Sequence, residues 1–185
     1  MATSRGSRVP DFVLTLDELR AVTAFTVACA ELVLDVFEKA APGDARPRDA
    51  VEAAAAFAAG GPRTKAQRIG ALAAHRAAKD VESAAAHAAM SAGDAAASAY
   101  LHPLADSAQV GHILRGPAHC VLAQANRTDR PMSRATAMET VRRFVTPTVI
   151  DVLLRYPHAT VGRQEVGVVM GELDTALRAR GSDVE

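Results

Sequence analysis

The sequence predicts an all-α protein, a single-domain bundle of about six to seven helices with close, alanine-rich packing. Alanine supplies 41 of the 185 residues and 23 of the 50 between Ala50 and Ala99. It has the highest intrinsic helix propensity, because it loses no side-chain rotamer entropy in a helix. Bulky and charged residues recur at helical spacing, and no segment keeps the alternation of a strand. We therefore expect no sheet.

The first helix is predicted from Thr15 to about Ala40. Thr15 and Glu18 form the T-x-x-E pattern of a capping box, which satisfies backbone amides at a helix start. Pro42 and Gly43 end the segment. Apolar residues cover most of its circumference, which is typical of a central, largely buried helix.

The alanine-rich block divides into three predicted helices. The second helix runs from about Pro47 to the glycine pair at 60–61, the third covers about 64–79, and the fourth covers about 81–100. Proline suits the first turn of a helix, and paired glycines end one. Few bulky residues occur in this block, so these helices are expected to offer smooth surfaces for close approach.

Three further helices are predicted after the alanine-rich block. The fifth helix, about 105–126, carries one charge, Arg115, between Asp106 and Arg127, and is expected to be buried with the first. The sixth covers about 133–155, where Pro147 either kinks the helix or starts a second one capped by Thr146. A last amphipathic helix is predicted over about 163–180.

The length suits one domain. We expect a flexible leader at 1–13, a helical domain at 14–126, C-terminal helices at 127–180 packed on the same domain, and a tail at 181–185. The two cysteines, Cys29 and Cys120, lie in uncharged helical segments and are interpreted as buried free thiols, with a disulfide as the alternative.

Charge and hydropathy exclude several kinds of partner. The 21 basic and 21 acidic residues balance, without the basic excess of a nucleic-acid-binding protein. No charge-free run approaches the roughly 18 apolar residues of a membrane span, and no secretory signal is visible. The prediction is a cytoplasmic protein without nucleic-acid or membrane partners.

Six histidines are the main candidates for site chemistry, and they are scattered over five segments. Helical bundles build metal sites from inward side chains of facing helices, and His75, Asp94, His102 and His112 are the residues that could converge in this way. The chain has no H-E-x-x-H pair and no nucleophile or phosphate-loop motif. We therefore interpret the histidines as hydrogen-bonded structural residues and predict no metal, no cofactor and no catalytic residues.

Five cations are candidates for binding a partner. Arg46 and Arg48 lie at the start of the second helix, and Lys65, Arg68 and Arg76 lie near one face of the third. Arginine presents a planar fork of donors that suits carboxylates. The alternative interpretation is structural: charges near a helix start pair with neighbouring carboxylates, and a short cationic strip is a solvated face.

Four stretches together resemble a known family: TLDELRAVTAFTVACAELVLDVFEKA at 15–40, RPRDAVEAAAAFA at 46–58, ALAAHRAAKD at 71–80 and AGDAAASAYLHPLADSAQVGHIL at 92–114. They are similar to actinobacterial "putative immunity proteins" with an immunity-five-like helical domain, which belong to polymorphic-toxin systems. The resemblance spans about 15–126.

That resemblance implies a non-enzymatic helical protein that binds and neutralises a cognate protein toxin, as in toxin-antitoxin pairs. It carries over no catalytic or binding residue. Two alternatives stay open at this point: a helical-bundle enzyme that depends on a metal or small ligand, and a structural scaffold subunit. The sequence is compatible with a homo-oligomer.

Overall fold

The computed structural model describes residues 11–130 and 132–182, and over these ranges the protein is all-α, as predicted, without a strand. A 3₁₀ turn follows α3 at Ala78–Asp80 and another follows α4 at Ser98–Tyr100. The α-helices within the described ranges are α1 (Leu16–Ala40), α2 (Arg46–Ala58), α3 (Lys65–Ala77), α4 (Ser83–Ala97), α5 (Ser107–Asn126), α6 (Arg134–Arg142), α7 (Pro147–Leu154) and α8 (Glu165–Ser182).

The described part thus holds eight α-helices, where six to seven were predicted. The predicted sixth helix is two helices, so the alternative in which Pro147 starts a new helix is confirmed. The Thr146 side chain accepts a hydrogen bond from the backbone N–H of Val149, and Pro147 occupies the first turn, where its missing N–H costs nothing.

Local capping explains where the helices begin. The predicted box at the start of α1 is present: the Thr15 hydroxyl accepts from the Glu18 backbone N–H at 3.2 Å, and the Glu18 carboxylate accepts from the Thr15 backbone N–H at 2.8 Å. Thr64 and Gln67 form the equivalent box at the start of α3. Each box satisfies two backbone donors that a helix leaves unpaired.

The core lies between α1, α4 and α5, with α2 and α3 packed on one side and α6, α7 and α8 on the other. The expectation that α5 is among the most buried helices is confirmed, since 13 of its 20 residues are buried. The companion expectation for α1 was wrong, because α4 is the more enclosed helix, with 10 of 15 residues buried against 11 of 25 in α1.

Close approach around α4 depends on two glycines. An added Cβ at Gly93 would lie 2.3 Å from His75 Cδ2 on α3. One at Gly116 on α5 would lie 3.3 Å from the Cβ of Asp94. Small residues therefore let α3 and α5 approach α4, and they set the distance between His75 and Asp94.

Other predictions concern the chain ends and the thiols. Residues 1–10 of the predicted leader and 183–185 of the predicted tail lie outside the described residues. Phe12 packs edge-on against Tyr156, with ring centroids 4.9 Å apart. Cys29 and Cys120 are buried free thiols, as interpreted from the sequence. Within the described residues, no helix combines the length and the hydrophobicity that crossing a bilayer requires.

Candidate partner-binding surface and histidine pocket

The five candidate cations fall into two groups. Arg46 and Arg48 are held by carboxylates of this chain, as the structural interpretation expected. The Arg46 guanidinium lies 2.6 Å from Asp44 and 2.7 Å from Asp80, and these hydrogen bonds raise its pKa further. Arg48 pairs with Glu38 on α1. These two arginines tie α2 to its neighbours, which leaves them less available for a partner.

Lys65, Arg68 and Arg76 behave differently. All three are exposed on α3 and make no ion pair with the described part of the chain. Ile69 and Leu72 lie between them with 64% and 52% of their surface exposed. Spacings of three, four and seven residues place these side chains on one side of the helix. We call the five residues the α3 face.

A pocket of about 400 Å³ opens beside the α3 face, between α3, the Ser98–Tyr100 turn and α5. Arg68 and Leu72 belong to both features, so the pocket and the α3 face form one continuous surface. We call the pocket itself the α3 pocket. Its lining residues are Arg68, Ala71, Leu72, His75, Ala97, Tyr100, His102 and His112.

The four residues named as potential metal ligands lie in or behind this pocket. His75, His102 and His112 line it, and Asp94 lies behind His75, with Oδ1 3.3 Å from His75 Nε2. Tertiary structure thus brings to one place residues that are spread over 38 positions of the sequence. Nevertheless, within residues 11–130 and 132–182 no three His, Cys, Asp or Glu side chains are arranged to hold a metal ion.

Asp94 is the buried charge of this region, with 2% of its surface exposed. Its Oδ1 accepts a hydrogen bond from Arg115 Nε at 3.2 Å. The His75 contact is close but lacks the alignment of a hydrogen bond, and Asp94 Oδ2 has no hydrogen-bond partner among the described residues. A buried carboxylate needs a counter-charge such as that of Arg115, because removing an unpaired carboxylate from water is costly. Arg115 therefore stabilises the charge behind the pocket.

His119 and His87 form a buried pair beside Asp94. Their Nδ1 atoms are 2.9 Å apart, so one ring donates and the other accepts. Burial lowers the pKa of His119 to about 4, although the Asp94 carboxylate, 4.0 Å from His119 Nε2, partly offsets the effect. Burial also lowers the pKa of His87. Both rings are consequently neutral near pH 7, and they act as structural hydrogen-bonding groups.

His112 is held in one tautomer. Its Nδ1 lies 3.0 Å from the carbonyl oxygen of Ala97, which can only accept, so Nδ1 carries the proton. Burial, aided by the positive charge of Arg115, lowers the pKa of His112. The neutral ring therefore has its lone pair on Nε2, which makes no hydrogen bond with any described residue.

Sequence reasoning found the pocket histidines but not the roles of Arg115 and His119. Arg115 is the one charge of an otherwise uncharged helix, which was a signal that it meets a buried counter-charge. His119 follows His112 by seven residues and so shares its side of α5. Their partners on α4 could not be identified, because Asp94 and His87 stand among alanines without a distinguishing pattern.

Residues 13–104 match the family model described as "Imm-5 like putative immunity protein". The match supports the immunity-like resemblance and includes α1 to α4, the entire α3 face and every pocket residue except His112. No curated protein and no solved structure matches the chain.

Proposed function

We propose that this protein, in which residues 13–104 match an immunity-like family, is a non-enzymatic immunity protein that binds and neutralises a cognate protein toxin. The observation that carries the proposal is the α3 face. It combines exposed apolar side chains with cations that the described part of the chain leaves unpaired. Apolar anchors surrounded by arginines are characteristic of protein–protein interfaces.

The positive charge of the α3 face indicates which kind of partner segment would bind there. Lys65, Arg68 and Arg76 give it a positive charge, although the whole chain is neutral. An acidic segment with one or two large apolar residues would complement it, because opposite charges steer association and apolar contacts stabilise the complex. Arg46 and Arg48, which already pair within the chain, are expected to contribute less.

Co-expression with a toxin domain encoded by a neighbouring gene tests the proposal. Wild-type protein should protect the cells and co-purify with the toxin. Ile69→Asp and Arg76→Glu should each weaken the complex by more than about 10-fold, which is typical of an interface centre. Each has a matched control of similar exposure far from α3, Val161→Asp and Arg143→Glu, which should bind normally.

Two outcomes would contradict the proposal for that pair. If cells die equally fast with and without wild-type protein, and no complex survives purification, the protein is not the immunity partner. If the complex forms but the α3 variants and their controls bind alike, the toxin uses another surface.

A metal- or small-ligand-dependent enzyme is the second candidate, because three of its four named residues line one pocket. Elemental analysis of purified protein distinguishes the two candidates. One zinc or iron per chain that is lost in His112→Ala would favour the enzyme, whereas protein without stoichiometric metal favours the immunity function.

A further inference from the structure

We infer that the α3 pocket is a socket for a tyrosine side chain of the bound toxin, with the phenol hydroxyl donating to His112 Nε2 and the ring lying against Leu72. The inference rests on the proposed function, and it specifies what the partner inserts beside the α3 face. Three features of the pocket support it: the acceptor of His112, the apolar part of the lining and the positive charge of Arg68.

His112, which lines the pocket, can offer an acceptor to an occupant. The Nδ1–H group of His112 donates a hydrogen bond to the Ala97 carbonyl oxygen, so its free Nε2 offers a lone pair to an occupant. A carboxylate would face this lone pair unfavourably, since neither group can donate. A hydroxyl, in contrast, supplies the missing donor.

Part of the lining is apolar and lies beside the rings of His75, Tyr100 and His102. Ala71, Leu72 and Ala97 line the pocket, and Leu72 is half exposed, so an occupant would remove apolar surface from water. A pocket of about 400 Å³ lies within the ordinary range for small ligands. An aromatic body with a polar tip matches an apolar lining beside an acceptor, and the same combination is the reason that tyrosine is enriched at interfaces.

The rim is positively charged. Arg68 lines the pocket, and no carboxylate does, so a cationic occupant is disfavoured. An arginine over an aromatic face is favourable, and the same region already contains one example: the Arg63 guanidinium lies 5.6 Å from the centre of the Tyr100 ring. Arg68 can make the equivalent contact with an inserted ring.

Titration of the isolated protein with p-cresol, the side chain of tyrosine, tests the pocket without any toxin. The histidine ring signals are followed by NMR, and toluene serves as a probe of the same shape without the hydroxyl. We expect the His112 ring signals to shift saturably with p-cresol, with a dissociation constant on the order of 1 mM, as for other small fragments. The toluene affinity should be about 2- to 10-fold lower, which is the effect of one neutral hydrogen bond.

Two variants extend the test. His112→Phe keeps a ring of similar size but removes the acceptor, so it should bind p-cresol and toluene equally well. Leu72→Ala shortens a half-exposed side chain of the pocket lining and should weaken the binding of both probes. Absence of saturable shifts in wild-type protein, or equal affinity for the two probes, would overturn the socket.

The toxin provides an independent arm. With a complex in hand, His112→Phe and Leu72→Ala should weaken it by about 10-fold or more, as expected at an interface hot spot. If both variants bind the toxin as tightly as wild-type protein, the socket is contradicted, whereas the immunity function is not. If p-cresol binds saturably but no toxin complex forms, the pocket does bind a phenol and the immunity function is wrong for that pair.

Discussion

Acidification from pH 7 to pH 5 should destabilise this fold through the buried His119. Its folded-state pKa is about 4, against 6.5 for an ordinary histidine. Between these values the unfolded chain binds a proton that the folded chain does not, so stability falls as the pH falls. The stabilisation is fully present above pH 6.5, and its loss is complete once the pH is below 4.

The magnitude follows from the size of the shift. A difference of one pKa unit corresponds to about 1.4 kcal/mol, so the complete loss is about 3 kcal/mol. At pH 5 the two proton-binding curves give about 2 kcal/mol. Protonation of the accepting ring also removes the His87–His119 hydrogen bond, whose Nδ1 atoms are 2.9 Å apart. His87 and His112, whose pKa values burial also lowers, add in the same direction.

The chosen pH window separates the histidines from the carboxylates. The hydrogen bond from Arg155 lowers the pKa of Glu18 from 4.5 to about 2. The stabilising contribution of Glu18 is therefore lost only as the pH falls from about 4.5 towards 2. Arginine pairing likewise lowers the pKa of Asp44 and of Asp129. These groups contribute little to a difference measured between pH 7 and pH 5.

Urea unfolding at the two pH values measures the effect. The free energy of unfolding should fall between pH 7 and pH 5 by about 2 kcal/mol more in wild-type protein than in His119→Gln, which cannot titrate there. His102→Gln removes an exposed histidine and should keep the full pH dependence. Equal pH dependence of wild type and His119→Gln would refute the reasoning, as would an NMR titration midpoint for His119 near 6.5.

Three further predictions concern packing. Gly93→Ala places a Cβ 2.3 Å from His75 Cδ2, so the free energy of unfolding should fall by about 1–3 kcal/mol in urea titration, and His75→Ala in the same chain should restore part of it. Phe57→Ala removes a fully buried ring, so the free energy of unfolding should fall by about 3–5 kcal/mol and the thermal midpoint should fall with it. Ile69→Ala, at an exposed position, should change the free energy of unfolding by less than about 0.5 kcal/mol. Because burial raises the pKa of Cys29 and both thiols are inaccessible, a thiol reagent at pH 7 should label neither cysteine until urea unfolds the chain; rapid labelling of folded protein would contradict this packing.

The candidate site shows where sequence reasoning loses its basis. His75 and Asp94 were named from residue type alone, but their separation of 3.3 Å depends on Gly93, which lets α3 approach α4. The five cations were predicted as one group, and tertiary ion pairs divide them. Arg46 reaches Asp80, which lies 34 residues further along the chain, whereas no described carboxylate pairs with Arg68.

Helical structure and most helix boundaries could be derived from the sequence alone, because their causes are local. Propensity belongs to single residues, and a capping box such as that of Thr15 and Glu18 joins groups three residues apart. Burial of α4, the pairing of charges and the α3 pocket depended on tertiary structure. Alanine suits a buried and an exposed helix face equally well, so its pattern does not indicate which side is covered. Only the packing of α3 and α5 against α4 decided which polar groups were enclosed and which stayed open to a partner.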